Sequence, residues 1–395
     1  MNTLPLAGVT VLDFTRVYSG PYATLRLSDL GADVIKIEHP QGGDDSRTFG
    51  PFIAGTSGYF ETLNRGKRSV AIDYRAPAGQ AVLRQLAGQV DVLIENFRPG
   101  QMKRYGLDYA SVSAIQPRLI YVSITGFGGD VDQGCYDIVA QAMSGLMSLT
   151  GFPDQPIKTG PAIADAISGL TAANGLLAAL FRRERTGQGA HVEVAMIDAV
   201  FACLENALAD FDVTQQVPMR RGNTDQVIAP FDCFRAADGW IVIAAGNDRL
   251  WRSLARLIDE ALIDDPRFAT NAQRVENGVV LQTILAAWCQ SRSTQALLAD
   301  LHAAGVPAGP VRTIDELAID PRLDARGMLA HIDLADGVHL KVPGSPIRFE
   351  DTVVQSMQRG PRLGEHTRPI LMEWLNVCAG EIDRLLAEGV IACHV

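Results

Sequence analysis

Apolar positions along the first 125 residues recur in two rhythms. Short β-branched runs read as strands: VTVLDF (9–14), DVIKIE (33–38), SVAID (69–73), VDVLIEN (90–96) and LIYVSITGF (119–127). Between them GPYATLRLSDLGA (20–32) reads as a loop and an amphipathic helix, a second helical pattern lies near 77–88, and two short helices precede residue 119. Strands that alternate with helices imply parallel pairing through helical crossovers. The expected fold class is therefore α/β, a Rossmann-like doubly wound parallel sheet.

From 137 to about 215 the spacing becomes mainly helical. TQQVPMRRGNTDQ (214–226) is polar and turn-rich and reads as a linker, and FDCFRAADGWIVIAAG (231–246) reads as a hairpin turning at Asp238-Gly239. Helices follow to about 305, then the proline-containing loop GVPAGPV (305–311) and a C-terminal segment with HLKVPGSPIRFE and PRLGEHT. These shifts suggest a large α/β domain over 1–213, a smaller α+β domain over 225–318, and a segment over 319–395 that returns to the large domain.

The chain has 395 residues, 47% of them hydrophobic, enough for two cored domains. A net charge of −10 argues against nucleic acid as a partner. No run reaches the roughly 18 uninterrupted apolar residues of a membrane span. MNTLPLAGVTVLDF has no basic leader before an apolar core, so the expected location is cytoplasmic. Six scattered cysteines without a CxxC pair read as reduced, packed thiols. No metal site is expected: Asp44 and Asp45 read as capping or solvated residues, and the seven histidines show no ligand spacing.

In a doubly wound sheet, ligands bind beyond the carboxyl ends of the strands. The turns TRVYSGP (15–21), HPQGGDDSR (39–47) and NFRPG (96–100) fall there. With this assignment Arg16, Arg47, Arg65, Lys67, Arg98 and Arg104 would surround this face, a set suited to phosphate groups. A different signal lies in GPAIADAISGLTAANGLLAALFRRERTGQG (160–189), where Asp165 is the one charge between Lys158 and Arg182. Burying a lone carboxylate is costly. Asp165 reads as the N-cap of a helix over about 166–184, or as an ionised nucleophile beside free helix amides that would stabilise an oxyanion. The two readings are compatible.

Nine stretches taken in order resemble the class III (CaiB/BaiF-type) CoA-transferase family: LDFTRVYSGPYAT, LGADVIKIEHP, GDDSRTFGP, NRGKRSVAID, VLIENFRPG, YDIVAQAMSG, GPAIADAISGLTAANGLLAAL, RTGQGAHVEVAMIDA and LGEHT. The resemblance spans residues 5 to 370. It implies that Asp165 is the catalytic nucleophile, acylated as a mixed anhydride and then converted to a CoA thioester. It also implies coenzyme A and acyl-CoA as substrates, with no prosthetic group. Contacts to CoA would fall on Val17, Tyr18, His39, Ile72, Asn96, Phe97 and Arg104. His39 and Gly134 stand where other members carry a basic residue, and RGNTDQVIAP, with one glycine, matches a loop that closes over the acyl aspartate. The nearest look is to enzymes that move CoA from succinyl-CoA to small dicarboxylic acids, with Arg47 or Arg65 then holding the distal carboxylate. An interlocked homodimer is implied, with no nucleic-acid or membrane partner.

Three alternatives stand beside this reading. α-Methylacyl-CoA racemases resemble GHD where this chain has Cys135-Tyr136-Asp137, and a tyrosine of unperturbed pKa about 10 is a poor base near neutrality. A nucleotide-binding oxidoreductase would carry GxGxxG after the first strand, and none is there. The third is a CoA-binding protein without turnover.

Overall fold

A computed structural model describes residues 4–334, 337–350 and 357–394. The parts of the 1–213 and 319–395 stretches outside those ranges lie beyond the described residues. The chain divides into one unit of residues 1–146, 158–209 and 321–395 and a second of 147–157 and 210–320. The second unit thus includes an early excursion, 147–157, that the apolar pattern leaves in the first domain. There a two-strand turn (Gly151–Phe152 with Gln155–Pro156) interrupts the helical run.

The first unit is built on β1 (Thr10–Asp13), β2 (Asp33–Glu38), β3 (Arg68–Ile72), β4 (Val92–Glu95), β5 (Ile120–Thr125) and β6 (Ala190–Ala195). They pair in the order β6-β5-β4-β1-β2-β3, all parallel, and the C-terminal strand Ile391–Ala392 adds an antiparallel edge beside β3. Successive side chains in a strand point to opposite faces. Val11, Val34, Val92 and Val122 therefore pack in one core, and Leu12, Ile35, Val70 and Leu93 in the core on the other face. Both faces of β1 to β5 are buried, which explains why these strands read as mainly apolar runs.

Strand order reverses at β1, which pairs with β2 on one side and β4 on the other. Helix α1 (Ser19–Asp29) follows β1, α2 (Pro77–Ala87) follows β3, and α3 (Asp137–Met143) and α4 (Ile163–Thr186) follow β5. By length and composition α4 would suit a membrane span, yet it packs on α1 and β6 through small residues such as Ala164, Ser168 and Ala172. A Cβ on Gly169 would stand 2.4 Å from the Ser19 carbonyl oxygen, so only glycine lets α1 and α4 approach this closely.

The second unit carries an antiparallel sheet of β7 (Phe231–Arg235), β8 (Trp240–Ala244) and β9 (Ala308–Pro310). Its core is formed by Trp251, Phe268, Leu285 and Leu297. The β7–β8 hairpin closes with the Ala236 amide donating to the Gly239 carbonyl, so Ala237-Asp238 stand at the turn instead of the expected Asp238-Gly239. Asp238 is diverted to accept the Thr294 amide at 2.8 Å, capping the helix that starts there.

Candidate active site

The loop after β1 is fixed from three sides. Asn96, just beyond β4, accepts the Arg16 amide at 2.8 Å and donates its own Nδ2 to the Arg16 carbonyl at 2.9 Å. Lys36, fully buried on β2, donates to the Thr15 carbonyl at 2.8 Å and pairs with Asp44 at 2.8 Å. Asp44 accepts the Val17 amide at 3.1 Å and caps the short helix Asp45–Thr48 through the Ser46 amide. Burial opposes ionisation of Asp44, but Lys36 overcomes it and holds the carboxyl well below its usual range. These bonds keep Val17 at φ 67°, left-handed backbone that a β-branched residue adopts only under constraint.

The loop forms one wall of a cleft of about 320 Å³ at the point where strand order reverses, also lined by Phe97, Arg98, Gln133, Cys135 and Asp165. Among the expected CoA-contact residues, Val17, Tyr18, Asn96 and Phe97 line it. Phe97 receives a further constraint from Glu95, which accepts its amide at 2.8 Å; burial pushes that carboxyl up to about 7. Gly134 leaves room for Arg98, since a Cβ there would lie 2.9 Å from the Arg98 Nη2. A cation thus stands over the position where the chain lacks one.

Other expectations find different places. Ile72 is fully buried at the end of β3, so its side chain meets the core and not a ligand. His39 packs edge-on against Tyr74 and faces Asp73 and Arg75 outside this cleft. Arg104 is exposed at the end of a short helix and is absent from the cleft lining. Arg47 is engaged by Glu38 through two bonds of 2.7 Å and donates to the Pro361 carbonyl. Arg65 is buried against Asp29. Neither arginine lines the cleft: each meets an internal carboxylate, which basic spacing alone does not reveal. Lys67 is likewise buried against Asp13 and Asn64.

Asp165 is not the N-cap of its helix. Helix α4 begins three residues earlier than expected, with Ala162 at the cap and Asp165 in the first turn. Capping comes from Asp137 on α3, whose Oδ1 accepts the amides of Ala164 at 2.8 Å and Asp165 at 3.3 Å. The Ala166 amide returns to the Ala162 carbonyl. The amides expected to be free at this helix start are therefore satisfied. Nor is Asp165 held ionised by the helix dipole: burial, then the Asp137 charge, push its carboxyl up to about 7, against a hydrogen bond from Ser19. Ser19 opens α1, where neither its own amide nor that of Gly20 finds an acceptor among the described residues. Sequence reading missed Asp137 as a functional partner because its capping contact spans two helices.

Cys135 lines the same cleft, and burial pushes its thiol up to about 11, so it remains a neutral thiol. Tyr136 sits at the rim, and no histidine lines the cleft among the described residues, which removes the proton carrier a racemase would need.

Residues 6–367 match the model of CoA-transferase family III. A succinate–glutarate CoA-transferase of Agrobacterium fabrum is 39% identical over 381 residues, covering 93% of this chain and 95% of that protein. An acetyl-CoA:oxalate CoA-transferase of Acetobacter aceti is 41% identical over 351 residues, covering 87% and 89%. A crystal structure of a CaiB/BaiF family protein from Brucella suis superposes with a TM-score of 0.83 at 41% identity, covering 95% of this chain and all of that one. The chain belongs to CoA-transferase family III.

Proposed function

We propose that this enzyme moves coenzyme A from succinyl-CoA to a small dicarboxylic acid through Asp165. The observation that carries the reading is a carboxylate of raised pKa facing the same cleft as the clamped 15–18 loop and the Asn96–Phe97 turn. Relatives named for CoA transfer to glutarate and oxalate support the substrate class.

The chemistry follows from a carboxylate nucleophile. An Asp165 oxygen attacks the thioester carbonyl, the C–S bond breaks, and the leaving thiolate of CoA carries away the electron pair. The thiolate then attacks Cγ of Asp165, the anhydride C–O bond breaks, and the donor acid departs with one oxygen from the aspartate. The acceptor carboxylate attacks the aspartyl thioester and expels the thiolate again. Attack of that thiolate on the acceptor acyl carbon releases the new acyl-CoA and restores Asp165. No proton is exchanged in the net reaction, so no general base is required. Water must stay away from the anhydride. The open amides at the start of α1, whose Ser19 hydroxyl bonds Asp165, would support the oxyanion on Cγ.

Succinyl-CoA and glutarate carrying ¹⁸O in both carboxylates test this route. After a single turnover mass spectrometry is expected to find one ¹⁸O in the Asp165 peptide, rising towards two with repeated turnover, and glutaryl-CoA as product. Glutaryl-CoA formed by an Asp165→Ala variant at the wild-type rate overturns the assignment.

Large apolar side chains on α4, notably Leu170 and Phe181, are exposed, and a second copy of this chain would cover them. We therefore read the working form as a homodimer. The six cysteines are all free, which suits a reducing, cytoplasmic location.

A further inference from the structure

A second cavity of about 640 Å³ lies on the far side of Tyr18 from the CoA cleft, and Tyr18 is the residue common to both linings. Its walls are largely apolar: Tyr22, Leu25, Tyr59 and Leu340 contribute, with Arg26 and Lys341 as cations. The rings of Tyr18, Tyr22 and Tyr59 adjoin one another, with Tyr18 5.5 Å from Tyr22 and 6.3 Å from Tyr59. Asp165 is felt on this side too, since its charge adds to burial in raising the phenols of both Tyr18 and Tyr59.

Arg26 is the unusual member. It is 7% exposed, and its Nε has no hydrogen-bond partner among the described residues. Its ion pair is to Asp29 at 3.2 Å, and Asp29 is already held by both terminal nitrogens of Arg65. Two buried guanidinium groups thus share one carboxylate, leaving an excess positive charge in a place that disfavours it. The Tyr22 ring, 5.0 Å from the Arg26 guanidinium, offsets only part of this. A second carboxylate delivered into the cavity would offset that charge at the guanidinium.

We infer that Arg26 is a specificity-determining residue, holding the distal carboxylate of the dicarboxylic acid while the near carboxylate reaches Asp165 past Tyr18. This rests on the CoA-transfer reading and names the group that selects the acid. Arg47 and Arg65, the cations suggested by the loops, are replaced in that role by one that sits inside helix α1.

Glutarate and pentanoate, of equal carbon number, differ in the distal carboxylate and supply the test with succinyl-CoA as donor. The wild-type enzyme is expected to prefer glutarate in kcat/KM, and Arg26→Gln to lower the glutarate-to-pentanoate ratio about 10- to 100-fold, the worth of a charge-assisted pair. Arg26→Lys, which keeps the charge but not the fork, is expected to fall between the two. An unaltered ratio in a variant with a cooperative melt overturns the assignment, as does equal loss for both acids. Equal use of the two acids by the wild-type enzyme overturns it without any variant. Failure of the CoA-transfer reading looks different: the wild-type enzyme would then form no new acyl-CoA with either acid.

Discussion

A carboxyl held near pH 7 is a site where reactivity and stability oppose each other. An unfolded aspartate titrates near 3.9, whereas folding pushes Asp165 up to about 7. The folded state therefore binds the proton more tightly. The penalty for burying the charge is absent below about pH 4, grows from there to pH 7, and is complete above. Asp165→Asn is expected to raise the melting temperature at pH 8 by several degrees, on the order of 1–4 kcal/mol, and to leave it nearly unchanged at pH 4. Calorimetry at the two pH values checks this; equal shifts at both would mean that the charge is not the cause. The same titration sets activity, because only the carboxylate attacks: kcat/KM should rise through about pH 7. Asp137→Asn keeps a cap oxygen for Ala164 but removes the neighbouring charge, so that limb should move down by roughly one pH unit. An unmoved limb in an active variant would show that burial alone sets the Asp165 titration. At this scale the sequence displays Asp165 as a lone charge among alanines and isoleucines. It does not display Asp137 as the cap, since that bond joins residues 28 apart.

Among elements, the strand and helix alternation of the first 125 residues is legible because β1 to β5 are buried on both faces. What spacing does not reveal is which acid meets which base. Arg47 and Arg65 sit in loops that look poised for a ligand, but Glu38 and Asp29 occupy them. Conversely, Arg26 sits in an ordinary-looking helix, yet it lines a cavity and shares its one carboxylate partner with Arg65. The Thr15–Tyr18 loop shows how elements cooperate: β2 and β4 both reach it, through Lys36 and Asn96. Asn96→Ala removes both bonds to Arg16 and frees Val17 to leave its left-handed conformation. The expected result is a rise in the acyl-CoA KM of about tenfold or more with a smaller change in kcat, and a stability loss of roughly 1–3 kcal/mol. A variant that melts earlier but keeps its acyl-CoA KM would assign Asn96 to the fold alone.

Over the whole molecule, the least legible feature is how the C-terminal segment joins the first unit. LGEHT is one of the stretches that carry the family resemblance. In the structure the segment closes the edge of the main sheet. Gly364 donates to the Ser69 hydroxyl at 3.0 Å, His366 accepts the Ser69 amide through Nδ1 at 3.2 Å, and Thr367 accepts the Ala71 amide at 3.0 Å. Helix α5 (Thr367–Leu375) then packs Ile370 and Leu371 into the core beside β3. Residues nearly 300 apart thus satisfy β3 where a further parallel strand would otherwise do so, and no local pattern announces such a pairing. Thr367 is fully buried, and its hydroxyl is the acceptor for a buried amide. Thr367→Val keeps the shape and deletes that oxygen, leaving the Ala71 amide unpaired at a cost of about 1–3 kcal/mol. The melting temperature should fall while the ratio of kcat/KM for competing acids stays unchanged, because this edge lies away from both cavities. An unaltered melt would mean that the β3 edge is held by the Ile391–Ala392 strand without help. A changed acid preference would mean that the edge and the sites are coupled through the sheet.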